Sequence, residues 1–518
     1  TFNNRQPVGF GFYLAPRREI NDRTATTAFY AQDQWTIGRL TLQGAVRYDR
    51  AWSWAPAEHN GTTMISRFNP RPITFPRTPS VDAYNDITTR FGGAWDVFGT
   101  GRTALKVNVG KYLQTATNDE NYAINNPAGL ARFVTYVPNR GWNDANGNRV
   151  VDCDIMNFAA QDHRATGGDV CSALIGNSLN FGSPNPNANR VNPEILRGWG
   201  VRPSDWAFSI SVQQEVVPRV SVDVSYNRRW FQNFFVTDNQ SVGPEDYERW
   251  TFTAPRHASL PGGGGYPIEM YTLTAAAGAR AARNYITFET DFGPERTHYW
   301  HGVNVSATAR LRAGVTVQGG TTTGRGVRDF CAVARNVPEM LVTGSTGRID
   351  SCAVTEPWMT SVRGLATYTV PKVDVLVSAQ FRSLNPANAL PGLVGSTSAT
   401  NGASLNATTQ VPNTVIQQVL GRVPPGGLPT TTTTINLVRQ GEVYPDERVT
   451  QVDMRFAKIL RFGGTRADIG VDLYNLFNTN HATAFEQAFD YNTTGANWLR
   501  PTAIVNPRFV RFNVTVNF

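Results

Sequence analysis

The chain has 518 residues, of which 17% are charged, 41% hydrophobic and 11% aromatic, with a formal net charge of +8. This supply of aromatic and apolar residues excludes a disordered chain, and the thin charge excludes a coiled coil. No stretch approaches the roughly 18 consecutive apolar residues of a membrane-spanning helix, and the scattered basic residues form no arm for nucleic acid.

The first residues, Thr1-Phe2-Asn3-Asn4-Arg5, lack a basic segment followed by an apolar core, so no signal peptide is expected there. Beyond them, apolar and polar residues alternate with the period of a half-buried strand, in pairs of segments joined by very short turns. Phe29, Ala31 and Trp35 lead through Gly38-Arg39 to Leu40, Leu42, Val46 and Tyr48. Phe91, Trp95 and Val97 turn at Gly99-Thr100-Gly101 into Leu105, Val107 and Val109. Phe208, Ile210 and Val212 turn at Pro218-Arg219 into Val220, Val222, Val224 and Tyr226. Val303, Val305, Ala307 and Ala309 turn at Arg312-Ala313-Gly314 into Val315 and Val317. A fifth turn is Pro371-Lys372, before Val373, Val375 and Val377, and a sixth is Gly463-Gly464-Thr465, between Phe456 and Ile469. Val510, Phe512, Val514, Val516 and Phe518 form a closing strand.

Six hairpins and one terminal strand predict thirteen strands, and Phe10-Gly11-Phe12 is expected to belong to one strand before them, for thirteen or fourteen. Their connections are lopsided. Every turn on one side is a few residues long, while the links on the other run from Arg50 to Asp86, Thr115 to Ser204, Thr237 to Thr297, Gly324 to Pro357, Ser383 to Arg448 and Thr479 to Asn506. A soluble sandwich has no reason to gather its long loops at one end. An all-β, antiparallel transmembrane β-barrel of the bacterial outer membrane does, with apolar residues toward lipid, polar residues toward the lumen and long extracellular loops. Arg47, Lys106, Asp223, Arg229, Arg310, Asp374, Arg382, Asp453, Arg455 and Asp472 fall on the lumenal side of the alternation, where both signs of charge predict ion-pair ladders in a solvated wall.

Within the long loops, Cys153 with Cys171 and Cys331 with Cys352 form two local pairs. Four cysteines permit three pairings, but the local one staples polar loops with no apolar face, which favours disulfides and an oxidising compartment over zinc. From Asn143 to Asp154, Asp144, Asn146, Asn148, Asp152 and Asp154 alternate around Gly147, a pattern of hard oxygen ligands that admits calcium. The register departs from the EF-hand, and an Asx-rich turn accounts for the same residues. His298 and His301 are three apart, so on a strand they point to opposite faces and share no metal; an aromatic-belt position accounts for Tyr299 and Trp300. Gly262 to Gly265 and Thr430 to Thr434 are expected to be loop. No motif for nucleophilic, metal or nucleotide chemistry appears, so no catalytic residues and no enzyme are expected, and calcium is the one cofactor in view.

Several segments together carry a family likeness: Tyr30-Ala31-Gln32-Asp33-Gln34-Trp35 before Gly44-Ala45-Val46-Arg47-Tyr48-Asp49, then Arg90 to Gly99, Asn475-Leu476-Phe477-Asn478, and Pro507-Arg508-Phe509. In order and spacing the chain resembles the C-terminal part of TonB-dependent outer-membrane receptors, of the Oar-like group that carries a carboxypeptidase-regulatory-like domain. The resemblance implies a barrel of about 22 strands around a plug, of which residues 1–518 would supply the C-terminal portion. The plug, the TonB-contacting segment and the N-terminal regulatory domain are not found in this chain.

The resemblance further implies a receptor and transporter that binds a solute through extracellular loops, above all those from Thr115 to Ser204 and Ser383 to Arg448. It would admit that solute when TonB acts on the plug. Phe512, Val514, Val516 and Phe518 resemble the signal read by the barrel-assembly machinery. Expected partners are outer-membrane lipid, that machinery, TonB, and an unidentified solute or macromolecule. Two other readings remain open from the residues: a passive porin, and a surface barrel for adhesion or protein docking.

Overall fold

The computed structural model describes the chain apart from residues 1, 4–5, 14–20, 60–73, 130, 312–313, 344–345, 385–403, 446 and 518. Its frame is an antiparallel meander. The strands are β1 (Arg23–Ile37), β2 (Leu40–Ala55), β3 (Ala83–Asp96), β4 (Thr103–Leu113), β5 (Ser204–Val217), β6 (Val220–Gln232) and β7 (Thr297–Arg310). After them come β8 (Val315–Asp329), β9 (Met359–Val370), β10 (Val375–Leu384), β11 (Val449–Phe462), β12 (Thr465–Tyr474) and β13 (Phe509–Asn517). Each lies between its sequence neighbours, so the thirteen run in chain order from β1 to β13 among the described residues. Three short segments lean on this sheet: Thr78–Pro79 on β2, Arg197–Trp199 on β3 and Ala353–Thr355 on β8.

Turn chemistry fixes the hairpins. Gly38 takes φ +59° between β1 and β2, and Pro218 followed by Arg219 at φ +72° fits a turn that requires a left-handed third residue. The registers then place like with like. Val212 lies opposite Val224, and Val224 opposite Val305, so one face of the sheet is an apolar field. In water that face would be anomalous: Val212 is 47% and Val224 44% exposed. The other face carries Arg47, Asn108, Asn227, Arg455 and Asp472, which is the division a membrane barrel wall requires.

The buried apolar residues lie chiefly at the long-loop end. Trp250, Phe252, Ile268, Met270, Val411, Ile416, Ile435, Leu437, Phe489 and Trp498 form the largest core, built from three different connections. A second core joins Phe12 to Val137, Ile155, Leu174 and Phe181, and a third joins Ala51, Val81 and Tyr84 to Tyr122, Ile195 and Leu196.

Two expectations change here. Gly9–Tyr13 is a strand, but it pairs with Tyr136–Asn143 inside a loop sheet and not with β1. Its Phe12 is 3% exposed, so burial against a loop outweighs extension of the wall. Thr432–Asn436, expected as loop, pairs with Thr408–Pro412, because Thr433 and Ile435 turn inward while Thr432 and Thr434 face water. Phe518 and the Arg312-Ala313 turn lie outside the described residues.

Candidate functional site

The long connections fold into a layer over the strand ends, and hydrogen bonds lock their backbones together. Tyr266 Oη donates to Leu437 O at 2.7 Å, Arg348 Nη1 donates to the same carbonyl at 2.7 Å, and Trp498 Nε1 donates to Asn406 O at 2.8 Å. Buried carbonyls without such partners would cost on the order of 1–3 kcal/mol each.

Beneath this layer is a chamber of about 830 Å³, lined by Phe235, Phe330 and Met340 and by Arg296, Arg328, Glu339, Arg348, Asn436 and Gln440. Its charges differ in how far they are neutralised. Arg296 is paired with the fully buried Glu289, and Arg348 with Asp350 at 2.5 Å. Arg328 instead donates from Nη2 to the amide oxygen of Gln440 at 2.5 Å, while its Nε is buried without a hydrogen bond. Glu339 accepts from Asn239 N at 2.6 Å and from Tyr247 Oη at 3.4 Å. Burial pushes its carboxyl above the ordinary 4.5, and does the same to the Asp238 carboxyl above 3.8. The chamber is therefore mixed, with apolar and polar lining in similar measure, and Arg328, which has the buried Glu356 as a charged neighbour, lies on the lumenal alternation of β8 opposite His298.

Lower on the wall, a groove of about 440 Å³ is lined by Arg90, Asn108, Tyr112, Ser209, Asn227, Arg229 and Trp300. The Arg90 guanidinium lies 4.6 Å from the Tyr112 ring centroid. Arg229 donates to both carboxylate oxygens of Asp205, at 2.7 and 2.8 Å. The expected ladders are present in part. Arg47 pairs with Asp49 at 2.9 Å, and Asp472 joins Arg455 at 3.7 Å to Arg511 at 3.0 Å. Lys106 donates to Gln213, and Asp453 accepts from Gln451 and Asn475 N. Asp374 sits in the β9–β10 turn at φ +48°, beyond the strand, and pairs at 2.7 Å with Arg461, which shares the lumenal alternation of β11 with Arg455.

The cysteines are joined as Cys153–Cys171 and Cys331–Cys352. Around the first pair the organiser is Asp169, fully buried, which accepts from Trp142 Nε1, Ala145 N and Asp152 N at 2.9–3.1 Å. Beside it the buried Arg140 donates to the carbonyls of Ser172, Asp154, Asn157 and Ala159. Neither was singled out from the sequence, since each bonds to positions well removed along the chain.

Of the five candidate calcium ligands, Asn146, Asn148 and Asp152 meet through hydrogen bonds, while Asp144 and Asp154 bond to backbone beside them. Asn146 and Asn148 donate side-chain amides to Asp152, Asp144 accepts from Arg149 N, and Asp154 accepts from Met156 N. Among the described residues no group of three His, Cys, Asp or Glu could hold a metal ion. His298 and His301 do face opposite ways. Tyr299 shares the apolar face with His301, whereas Trp300 turns inward over Gly302 and Gly324, so only Tyr299 has a belt position. On β13, Phe512, Val514 and Val516 stand exposed on one face. The chamber residues 296, 328, 348 and 440 carry no sequence signal, because no local spacing relates them.

A family model for an outer membrane beta barrel domain matches residues 12–335. The chain belongs to that family. It is a protein of the bacterial outer membrane, and such barrels keep short turns in the periplasm and long loops outside, which places the chamber at the extracellular mouth. Solved structures of similar fold include the ferric-catecholate import receptor Fiu from E. coli K12, at 12% identity and a TM-score of 0.39, over 96% of this chain and 44% of that protein. The FrpB iron transporter from Neisseria meningitidis is similar at 9% identity and 0.41, over 95% and 45%, and the E. coli outer membrane transporter YddB at 9% and 0.41, over 95% and 54%. This barrel chain thus spans about half the length of the solved proteins it matches, and likeness at this level says nothing of a ligand. No curated protein matches it.

Proposed function

We propose that the chain is the C-terminal barrel portion of a TonB-dependent receptor of the Oar-like group, the remainder of about 22 strands and the plug being supplied by the rest of the protein. The whole receptor would bind a solute in the extracellular chamber and pass it along the lumen wall when TonB acts on the plug. One observation carries this reading: the long loops are packed into a roof with its own core, leaving a chamber that Arg328 connects to the lumenal face. A passive porin has no need of a roofed mouth. The guanidinium donors of Arg296, Arg328 and Arg348 in the chamber lining favour a solute with strongly accepting groups. No catalytic step is proposed. Phe512, Val514 and Val516 would be read by the barrel-assembly machinery during insertion.

Two measurements test the receptor reading. The whole protein in liposomes should conduct no small ions until energised, and steady passive conductance would overturn it. In cells, R328A with Q440A should lower solute uptake at unchanged membrane level; unchanged uptake would remove the chamber from the path. Calcium at Asp144, Asn146, Asn148, Asp152 and Asp154 stays a proposal from the sequence pattern. Binding would require the two asparagines to turn their amide oxygens inward, and it is checked by calcium-dependent protection of this turn from proteolysis.

A further inference from the structure

On the outward face, near the loop end of the wall, three side chains lie in one row across adjacent strands. Arg228 on β6 is opposite His301 on β7, and His301 is opposite Arg325 on β8. The alternation that carries exposed Val224, Val303 and Val317 carries these three as well, so they face lipid. Guanidinium groups in a lipid-facing stripe are unfavourable unless they reach the interface or meet a negative charge. Neither Arg228 nor Arg325 has an ion-pair partner among the described residues. Arg325 Nε donates to His301 Nε2 at 3.1 Å, which uses that ring nitrogen as an acceptor and leaves the rest of the guanidinium unspent.

The surroundings are amphipathic. Arg228 lies 4.5 Å from the Tyr299 ring centroid and Arg325 5.0 Å from that of Trp358. Trp206 and Trp230 stack at 6.3 Å beside them. Beside Arg228 is a groove of about 610 Å³, lined on the outward alternation by Phe208, Tyr226, Arg228, Trp230 and Tyr299 and at its loop end by Phe231, Arg296 and His298, with Arg325 and Trp358 outside it along the row. Aromatic rings at this depth mark the headgroup level, where one end of a ligand is apolar and the other wet.

We propose that this row and groove bind the phosphate-bearing headgroup of an outer-leaflet lipid, with the two guanidiniums on the phosphate and the acyl chains along Phe208, Tyr226 and Val303. The two outer members of the row are two strand spacings apart, roughly 10 Å at the backbone, a span that long arginine side chains close from both sides. Charge complementarity selects this occupant, since a neutral lipid would leave both cations uncompensated in an apolar belt.

The test uses the full-length receptor in nanodiscs of phosphatidylcholine with or without phosphatidic acid, and reads bound lipid by native mass spectrometry. Retention of phosphatidic acid should fall at least about tenfold in R228Q/R325Q, which removes both charge-assisted contacts. Phosphatidylcholine retention should not change, and R39Q/R102Q at the periplasmic turns should behave as wild type. Equal phosphatidic acid retention in R228Q/R325Q and R39Q/R102Q would overturn the proposal. So would full displacement by inorganic phosphate, which would make this a free-anion site. Should the double variant fail to fold, R228Q and R325Q are measured singly, each with a smaller loss, and no loss in either refutes the site.

Discussion

Trp300 offers a sharp test of how the lumen wall is packed. Its indole lies across Gly302 and Gly324, which face each other on β7 and β8. A Cβ added at Gly324 would stand 2.8 Å from Trp300 Cε2 and closer still to Cζ2, inside any tolerable contact. The indole is rigid, so in G324A it must leave its seat and swing into the groove it lines with Arg90 and Tyr112. Overpacking of this kind costs about 1–3 kcal/mol, while alanine in place of glycine in a strand returns about 0.5–1 kcal/mol, for a net loss of about 1–2 kcal/mol. G364A on the neighbouring β9 is the contrast. Its nearest neighbour would be Gln318 O at 3.8 Å, an ordinary contact, so the same substitution should be neutral or stabilising by about 0.5 kcal/mol.

Denaturant unfolding of the full protein in bilayers measures both changes, and W300A completes a double-mutant cycle with G324A. The seat predicts a coupling of about 1–2 kcal/mol, because W300A removes the group that the new methyl strikes. Equal effects of G324A and G364A, or additive behaviour of W300A and G324A, would refute the placement of Trp300 on the glycine pair.

Further outcomes follow from the same structure. V224K puts a charge on the lipid face and should cost about 2–4 kcal/mol near the bilayer midplane, measured by the same unfolding; no cost would place this face away from lipid. D472A leaves Arg455 and Arg511 facing each other, and should cost about 2 kcal/mol, less than the roughly 3–5 kcal/mol of a fully buried pair because Arg511 is 60% exposed. Replacing Cys153 and Cys171 by alanine releases a closure over 18 residues, worth about 3 kcal/mol in the chain-entropy model. Protease should then cut between Asp144 and Asp169 while the sheet stays protected. The raised Glu339 carboxyl binds its proton more tightly folded than unfolded, so its contribution is fullest below its ordinary 4.5 and is lost as pH rises through the folded value. E339Q should flatten that slope in a pH series of loop unfolding, by at most about 1.4 kcal/mol per pH unit.

The strands were legible because a wall between lipid and lumen imposes a strict period of two. Val220, Val222 and Val224 against Ser221, Asp223 and Ser225 can be read without any partner in view. Loop structure is written differently. Val411, Leu437 and Trp498 meet Trp250 only after three connections have closed, so no window of sequence contains the signal. Phe10 and Phe12 show the limit well: their alternation does mark a strand, but the partner that captures it is Tyr136–Asn143, more than a hundred residues away. Asp169 and Arg140 failed to stand out for the opposite reason. A carboxylate or guanidinium satisfied by backbone groups has no charge partner for a sequence pattern to reveal.

The two halves of the molecule face different solvents, and this governs which perturbations report on function. In the wall, apolar exposure is stability, since lipid covers Val212 and Phe512. Above it, apolar burial holds the loops, as in any water-soluble domain. Size and position point to the loops from Ser383 to Arg448 and from Thr115 to Ser204 as the ligand surface, yet the two are not equivalent. The stretch from Thr408 to Val438 supplies Val411, Ile416, Ile435 and Leu437 to the shared core, so deleting it removes the packing of the two other connections. The stretch around Cys153 and Cys171 packs with Phe12 in a core of its own, and can be shortened without opening that shared core. Lost uptake after the first deletion therefore reports an unfolded roof, whereas lost uptake after substitutions at Arg328 and Gln440, which leave the core intact, reports the chamber itself.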